Sequence, residues 1–205
     1  MNIDGLALSR ILGSGDATNN TSFEADGTIV NNGTASTFED LNWNPTELVG
    51  SGTAPSLINF GSSTIGIAGF SATSTDEITS SAELPHSWKV GSEIQFHFHW
   101  YPTTTNVGNA LFRLEYLFTK EGVAVTTSTT VDLLVASSGV AWAKKSSAFT
   151  NIVTTGVAEF GSQFHFRFAR VGGDASDTYT GVTAVSTVGF HYESDTLGSR
   201  LISSK

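Results

Sequence analysis

Residues 93–101 read EIQFHFHWY, and apolar side chains alternate strictly with polar ones along them. In an extended strand the even-numbered positions, all apolar, face one side, and the odd-numbered positions face the other. Such a period of two is typical of a half-buried antiparallel strand. The stretch therefore predicts a strand with one face on a hydrophobic core.

The same alternation recurs over much of the chain. Strands are predicted at 57–60, 64–70, 93–101, 111–118, 140–144, 149–153, 163–168 and 183–193. A further strand, rich in Thr and Val, follows the turn at 121–122 and ends near residue 135. No window carries a helical apolar stripe longer than two turns. Many short strands separated by turn residues predict an all-β fold, an antiparallel jelly-roll-like β-sandwich.

The N-terminal part differs from the rest in composition, because it is rich in Asn, Thr, Gly and Ser. We expect residues 1–56 to form an extended arm with edge segments, and residues 57–205 to form the sandwich with a short C-terminal tail. The start of the arm is either a frayed terminus or a peptide that docks on a neighbouring subunit. Its apolar side chains are Ile3, Leu6, Leu8, Ile11 and Leu12.

Composition argues against several classes of function. The net charge of −9 opposes binding to phosphate backbones, so no nucleic-acid partner is expected. No apolar run is long enough for a membrane span, and the first residues lack the basic region of a signal peptide. We therefore expect a protein made in the cytoplasm. The absence of cysteine excludes disulfides and thiolate chemistry.

Six polar side chains lie opposite the large apolar positions of the predicted strands. They are His97, His99, Arg113, Glu115, His165 and Arg167. If the apolar sides fill the core, these residues form one outer surface that can pair across a subunit interface. Histidines there would make assembly sensitive to mild acid. A short echo, GSEIQFHFHW at 91–100 and GSQFHFRF at 161–168, fits two strands in similar environments.

The spacing of His97 and His99 allows both to contact one metal ion, and it resembles the opening of the cupin metal motif. The glutamate that this motif needs four or five residues later is replaced by Thr103 and Thr104. Paired acids such as Asp76-Glu77 fall in turn-like sequence, where carboxylates face water or cap a turn. We expect no metal, no cofactor and no enzymatic activity. A cupin-like metalloprotein stays as the least favoured alternative.

Tryptophan offers a different alternative. Trp100 lies on the predicted core face, whereas Trp88 and Trp142 could stack on a sugar ring. This pair predicts a tail or fibre domain that recognises host carbohydrate.

Two segments carry a resemblance to a known group of proteins. The first is ELPHSWK at 83–89 running into EIQFHFHWYP at 93–102, and the second is DTYTG at 177–181, then FHY at 190–192 and DTLGSR at 195–200. Both resemble motifs of uncharacterised structural proteins of tailed bacteriophages. The resemblance covers residues 76–200 with gaps, and it implies a virion role without catalysis or cofactor.

The leading hypothesis is therefore a capsid decoration, or cement, protein on the surface of the virion head. We expect a homotrimer whose partner is the major capsid protein, with the N-terminal arm ordering on the shell.

Overall fold

The computed structural model describes residues 10–12, 18–24, 27–125 and 127–198, with the backbone alone at 10–12. Its strands are β1 (Arg10–Leu12), β2 (Asn20–Phe23), β3 (Ile29–Asn32), β4 (Thr37–Trp43), β5 (Ser56–Asn59), β6 (Gly66–Phe70), β7 (Thr75–Glu83), β8 (Ile94–Pro102), β9 (Asn109–Thr119), β10 (Thr129–Ala136), β11 (Lys145–Ala148), β12 (Gln163–Val171) and β13 (Thr183–Ser194). Short 3₁₀ turns occupy Gly33–Ala35 and Pro45–Glu47. No helix in these ranges is long and apolar enough to cross a bilayer.

The strands form two packed sheets and a small third one. One sheet has the order β10-β9-β12-β7, and the other has the order β11-β8-β13-β6-β5, with β4 also paired to β13. Strands β1, β2 and β3 make the third sheet. All of these strand pairs are antiparallel. The predicted antiparallel jelly-roll-like sandwich is confirmed.

Aromatic side chains fill the space between the two large sheets. Strand β8 contributes Phe96, Phe98 and Trp100, all fully buried, as its alternation predicts. They meet the inward side chains of β12, and the rings of Phe96 and Phe166 lie 5.0 Å apart, edge to face. Each buried phenylalanine contributes about 2–3 kcal/mol through apolar burial. The core therefore fixes which side of each strand faces outward.

Part of the predicted arm belongs to the sandwich. Strand β4 pairs with β13 from Val188 to Ser194, and the ring of Trp43 contacts Phe166 at 4.9 Å. Strands β2 and β3 connect to the sandwich through a bridge between Val30 and Thr196. The five apolar side chains expected at the start of the arm, in residues 3–12, lie outside what the structure describes.

Three strand predictions differ from the structure. Residues 149–153 form no strand, and only Ile152 makes an isolated bridge, to Ile94. Residues 140–144 form turns, and β11 begins only at Lys145, because Trp142 has a backbone φ of 62° that no regular strand accepts. Strand β7 was not predicted, because TDEITSSAE at 75–83 contains one large apolar residue, Ile78. Nine residues of β12 pair with β7 and fix it in the sheet.

Candidate functional site

The six polar residues predicted to share one surface lie on opposite sides of the sandwich. Arg113, Glu115, His165 and Arg167 lie on the outer face of the four-stranded sheet, on β9 and β12. His97 and His99 lie on β8, in the six-stranded sheet. The prediction of a single surface is therefore wrong, because alternation tells inside from outside but not which sheet a strand joins.

On the four-stranded sheet, Arg167 is the centre of a charge network. Its guanidinium donates to Glu115 at 2.9 Å and also to Glu77 on the neighbouring strand β7. Ser51 donates to Glu77 at 2.6 Å, and Ser128 donates to Glu115 at 2.5 Å. Arg167 therefore joins three strands of the sheet through a pair of carboxylates.

The pKa values of both carboxyl groups lie below the usual range. Burial raises the pKa of Glu77, but hydrogen bonds from Ser51 and Arg167 outweigh it and lower the pKa. The hydrogen bond from Ser128, followed by that from Arg167, lowers the pKa of Glu115. Both groups are therefore ionised at neutral pH, which suits their pairing with Arg167.

An open groove of about 630 Å³ runs over this network. We call it the polar groove. It is lined mainly by Ser51, Thr79, Ser81, Glu115, Ser128, His165 and Arg167. His165 is held there by a 3.1 Å contact between its Nε2 and Thr119 Oγ1. The groove presents hydroxyl, carboxylate and guanidinium groups, which suit hydrogen bonding to another polar surface.

The six-stranded sheet carries a different group of side chains, which we call the histidine cluster: Asp40, His97, His99 and His191. The rings of His97 and His191 lie 4.2 Å apart, and those of His97 and His99 lie 5.4 Å apart. His191 Nε2 is 3.0 Å from Asp40 Oδ1. His99 Nδ1 is 2.9 Å from Ser146 Oγ on β11.

Burial sets the protonation of His97. The residue is only 6% exposed, and its Nδ1 has no hydrogen-bond partner within the described ranges. Burial, together with repulsion from His191, lowers the pKa of His97 to about 4. Burial and the nearby Lys144 also lower the pKa of His99. His97 is therefore neutral in the folded chain between pH 5 and pH 8.

The two tryptophans considered for sugar stacking have different surroundings. Trp88 is fully buried, because residue 88 bridges to Ser194 and lies in the core. Trp88 cannot stack on a ligand from solvent. Trp142 is partly exposed. The ring centroid of Phe60 lies 5.6 Å from that of Trp142 and 4.7 Å from that of Tyr101. We call Phe60, Tyr101 and Trp142 the aromatic cluster.

The motif residues that resemble phage proteins mostly hold the fold together. Arg170 and Asp177 form a fully buried, two-point ion pair, with Nη2–Oδ1 and Nε–Oδ2 distances of 2.7 and 2.9 Å. Lys89 donates to Glu193 at 2.7 Å, which ties the first motif segment to the second. Together these bonds join parts of the chain that are up to 104 residues apart. Segment 93–102 supplies His97, His99 and Tyr101 to the two clusters, and residues 190–192 of the second segment supply His191. Both segments also contribute side chains to the core.

Sequence reasoning missed several residues of these sites. Asp40 lies in a polar stretch that shows no alternation, and Phe60 lies in the turn between β5 and β6. Ser51 and Glu77 meet through a loop that bridges to β7 at Val49 and Thr53. Local sequence gives no signal for such contacts, because they depend on which strands become neighbours. Asp76 and Glu77 are both buried on β7, and they do not form a solvent-facing pair.

Comparison with known proteins gives limited information. No protein-family profile matches the chain, and no curated protein sequence matches it. Two solved carbohydrate-binding modules are similar in structure. The CBM36-1 domain of a multidomain xylanase from the hindgut metagenome of Trinervitermes trinervoides has a TM-score of 0.41 and 10% identity, over 74% of this chain and 96% of that one. A family 35 carbohydrate-binding module from an environmental isolate has a TM-score of 0.42 and 6% identity, over 73% and 91%.

A third similar structure is dimeric latent PorU from Porphyromonas gingivalis, with a TM-score of 0.38 and 10% identity. The match covers 78% of this chain but 13% of that one. Similarity at this level says nothing about the ligand or partner of the present chain.

Proposed function

We propose that the chain is a non-enzymatic structural protein of a tailed-phage virion, a capsid decoration protein that acts as an oligomer on the head shell. Support comes from the motif resemblance and from one structural observation, the open edge of β10. The edge of β10 that faces away from β9 pairs with no strand in the described part of the chain. Such an edge is a template for pairing with a second copy.

The composition of β10 makes this edge unusual. Its eight residues, TTVDLLVA, include one charge, Asp132, which is already paired with Arg113 on β9. Monomeric proteins usually protect long edge strands with lysines, prolines or bulges. An edge without such protection suits a protein whose edges are covered by neighbouring copies. In a homotrimer each β10 would contact a different surface of the next copy, because a three-fold interface is heterologous.

The oligomer can be tested by light scattering on the purified full chain. We expect a mass three times the 21.6 kDa of one chain. Thr130→Lys with Leu134→Lys places two charges on exposed positions of β10 and should produce monomers. Val107→Lys, at a loop residue that is 79% exposed, is the matched control and should leave the mass unchanged. A monomeric wild-type protein would refute the role of this edge.

Virion location requires its own experiment. Immunogold electron microscopy with antibody against the chain should label phage heads evenly. Labelling confined to tails would favour a fibre domain, and unlabelled virions would refute the virion proposal.

The structure sharpens the test of the N-terminal arm. A deletion reaching residue 40 would cut into β4, whose Trp43 packs against the core. Deletion of residues 1–17 leaves β2, β3 and β4 in place and removes the five apolar residues of the arm. We expect this variant to form the same oligomer but to lose capsid binding. Capsid binding equal to that of the full chain would contradict docking through the arm.

The aromatic cluster favours a second candidate function, recognition of carbohydrate. The φ of 62° at Trp142 is in the left-handed region, which a bulky residue occupies only under constraint from its surroundings. A 2.7 Å hydrogen bond from Trp142 N to Pro102 O supplies such a constraint. Strained residues of this kind concentrate at binding sites, and an indole face stacks well on a sugar ring.

A glycan array separates this candidate from the first. Binding that is lost in Trp142→Ala and in Phe60→Ala, but kept in Leu197→Ala, would support recognition by the aromatic cluster. Leu197 is a suitable control because it is 81% exposed and lies outside the cluster. Absence of binding to any glycan would remove this candidate.

A further inference from the structure

Three neighbouring strands of the six-stranded sheet bring a carboxylate and two imidazoles together. Asp40 on β4 lies directly opposite His191 on β13. His97 on β8 lies opposite Gly189, two residues before His191 on β13. Gly189 has no side chain, and the amide of Asn42 on β4 lies close beside it. The resulting ring distance between His97 and His191 is 4.2 Å.

The ligand atoms of these three residues are close enough to bind one ion. One nitrogen or oxygen atom from each of Asp40, His97 and His191 lies within 4.8 Å of the other two. Ligands about 2.1 Å from a tetrahedral zinc ion are roughly 3.4 Å apart. The pair formed by His191 Nε2 and Asp40 Oδ1, at 3.0 Å, is already near that spacing. Small side-chain rotations would close the remaining gap.

A buried polar atom gives an independent reason to expect a ligand. His97 is only 6% exposed, and its Nδ1 has no hydrogen-bond partner among the described residues. Leaving a buried nitrogen unbonded is unfavourable, and native structures rarely do so without a compensating role. A lowered pKa also keeps His97 neutral, and a neutral imidazole is the form that binds metals.

We propose that Asp40, His97 and His191 bind one divalent transition-metal ion, best matched by zinc, on the outer face of the six-stranded sheet. Two imidazole nitrogens with one carboxylate oxygen suit zinc and similar ions, whereas calcium and magnesium prefer sites made of oxygen alone. Three protein ligands leave a fourth position open toward solvent. Water or a group from another molecule can occupy it.

This site is distinct from the cupin-like arrangement considered from the sequence. That arrangement would use His97 and His99 together, but His99 is bonded to Ser146 through Nδ1. Asp40 comes instead from the N-terminal segment, so a metal ion would fasten β4 to β13 and β8. Metal binding should therefore stabilise the edge of the sheet where the arm joins it.

The test uses untagged full-length protein that has been dialysed against EDTA. Titration with cobalt(II) reports coordination through its visible absorption, and zinc calorimetry gives stoichiometry and affinity. We expect one ion per chain, a tetrahedral cobalt spectrum and a Kd in the micromolar range or tighter, on the order of −8 kcal/mol or below. Zinc should raise the melting temperature, and EDTA should reverse the increase.

Variants locate the ion. Asp40→Asn and His191→Gln change side chains that are each 43% exposed, so circular dichroism should show intact folds. Each should weaken cobalt binding at least tenfold, about 1.4 kcal/mol. His165→Gln, on the opposite sheet, should bind cobalt like the wild type. The proposal fails if the wild type shows no saturable binding below about 1 mM, a concentration that corresponds to −4 kcal/mol. It also fails if both cluster variants bind as tightly as the wild type.

Discussion

The two outer faces of the sandwich begin from similar sequence patterns and reach different chemistry. On the four-stranded sheet every charge near Arg167 has an opposite partner, and the pKa values of Glu77 and Glu115 fall as a result. On the six-stranded sheet the imidazoles of His97 and His191 lie beside the carboxylate of Asp40. One face is thus electrostatically satisfied, while the other holds a buried nitrogen without a partner. The contrast shows that the surroundings of an outward-facing polar residue are decided by the strand that pairs with its own, and not by the alternation of its own sequence.

The largest loss of stability should come from substitution of Gly189, because β4 leaves no room for a side chain at this position. An added Cβ there would lie 2.5 Å from the backbone oxygen of Leu41 and even closer to the amide of Asn42. Because backbone cannot move away cheaply, Gly189→Ala should destabilise the protein by about 3 kcal/mol. Urea unfolding measures the loss. Gln95→Ala, an exposed residue of the same face, should change stability by less than about 0.5 kcal/mol.

The satisfied face can be broken at Arg167. Arg167→Met keeps the apolar stem but leaves the carboxylate of Glu77, only 7% exposed, without its cation. Loss of a buried partner costs about 3–5 kcal/mol, and the 30% exposure of Arg167 reduces the expected loss to about 2 kcal/mol. Lys120→Met breaks a longer, 4.0 Å pair with Glu159, whose side chain is 57% exposed, and serves as the control. Equal losses in the two variants would show that the network is ordinary surface pairing.

Much of the fold follows from sequence because alternation reports burial directly. Every even-numbered position from 94 to 100 is buried, as the pattern predicts. Strand β7 escaped prediction because pairing with β12, not an apolar repeat of its own, keeps it in the sheet. Alternation therefore predicts strands that contribute to the core and misses strands held mainly by their neighbours.

The sites were less predictable, since they depend on contacts distant in sequence. Asp40 and His191 lie directly opposite one another although they are 151 residues apart in the sequence. Nothing in the sequence around Asp40 marks it as a partner for histidine. Trp88 was a candidate for sugar stacking because, unlike Trp100, it lies on no predicted core face, yet its contact with the end of β13 buries it. Such errors arise from strand order, which a single sequence does not specify.

The two faces should lose their contributions to the free energy of unfolding at different pH values. The pKa of His97 is about 4 in the folded protein and near 6.5 when unfolded, so below pH 6.5 protons bind the unfolded chain preferentially. Stability therefore falls between pH 6.5 and pH 4. Carboxyl groups with lowered pKa values, such as Glu77, lose their contribution only at pH values below about 4.5.

The histidine contribution can be measured by urea unfolding at pH 7.5 and pH 5.0 in EDTA. His97 alone should remove about 2 kcal/mol over this interval. His97→Gln should show a correspondingly smaller difference between the two pH values. A pH dependence unchanged by the substitution would mean that the pKa of His97 is the same in the folded and unfolded states.

The smallest effect should come from the rim of the satisfied face, where Arg113 binds Asp132 through two hydrogen bonds of 2.6 and 2.7 Å. The bond geometry is good, and the hydrogen bonds from Arg113 lower the pKa of Asp132, but both side chains are at least one third exposed. Exposed pairs contribute about 0.5 kcal/mol, and salt screens them. Asp132→Asn should cost that amount in dilute buffer and almost nothing in about 1 M salt, where the Debye length is near 3 Å. A loss as large as that of Arg167→Met, and insensitive to salt, would mean that the network owes its strength to paired geometry and not to the burial of Glu77.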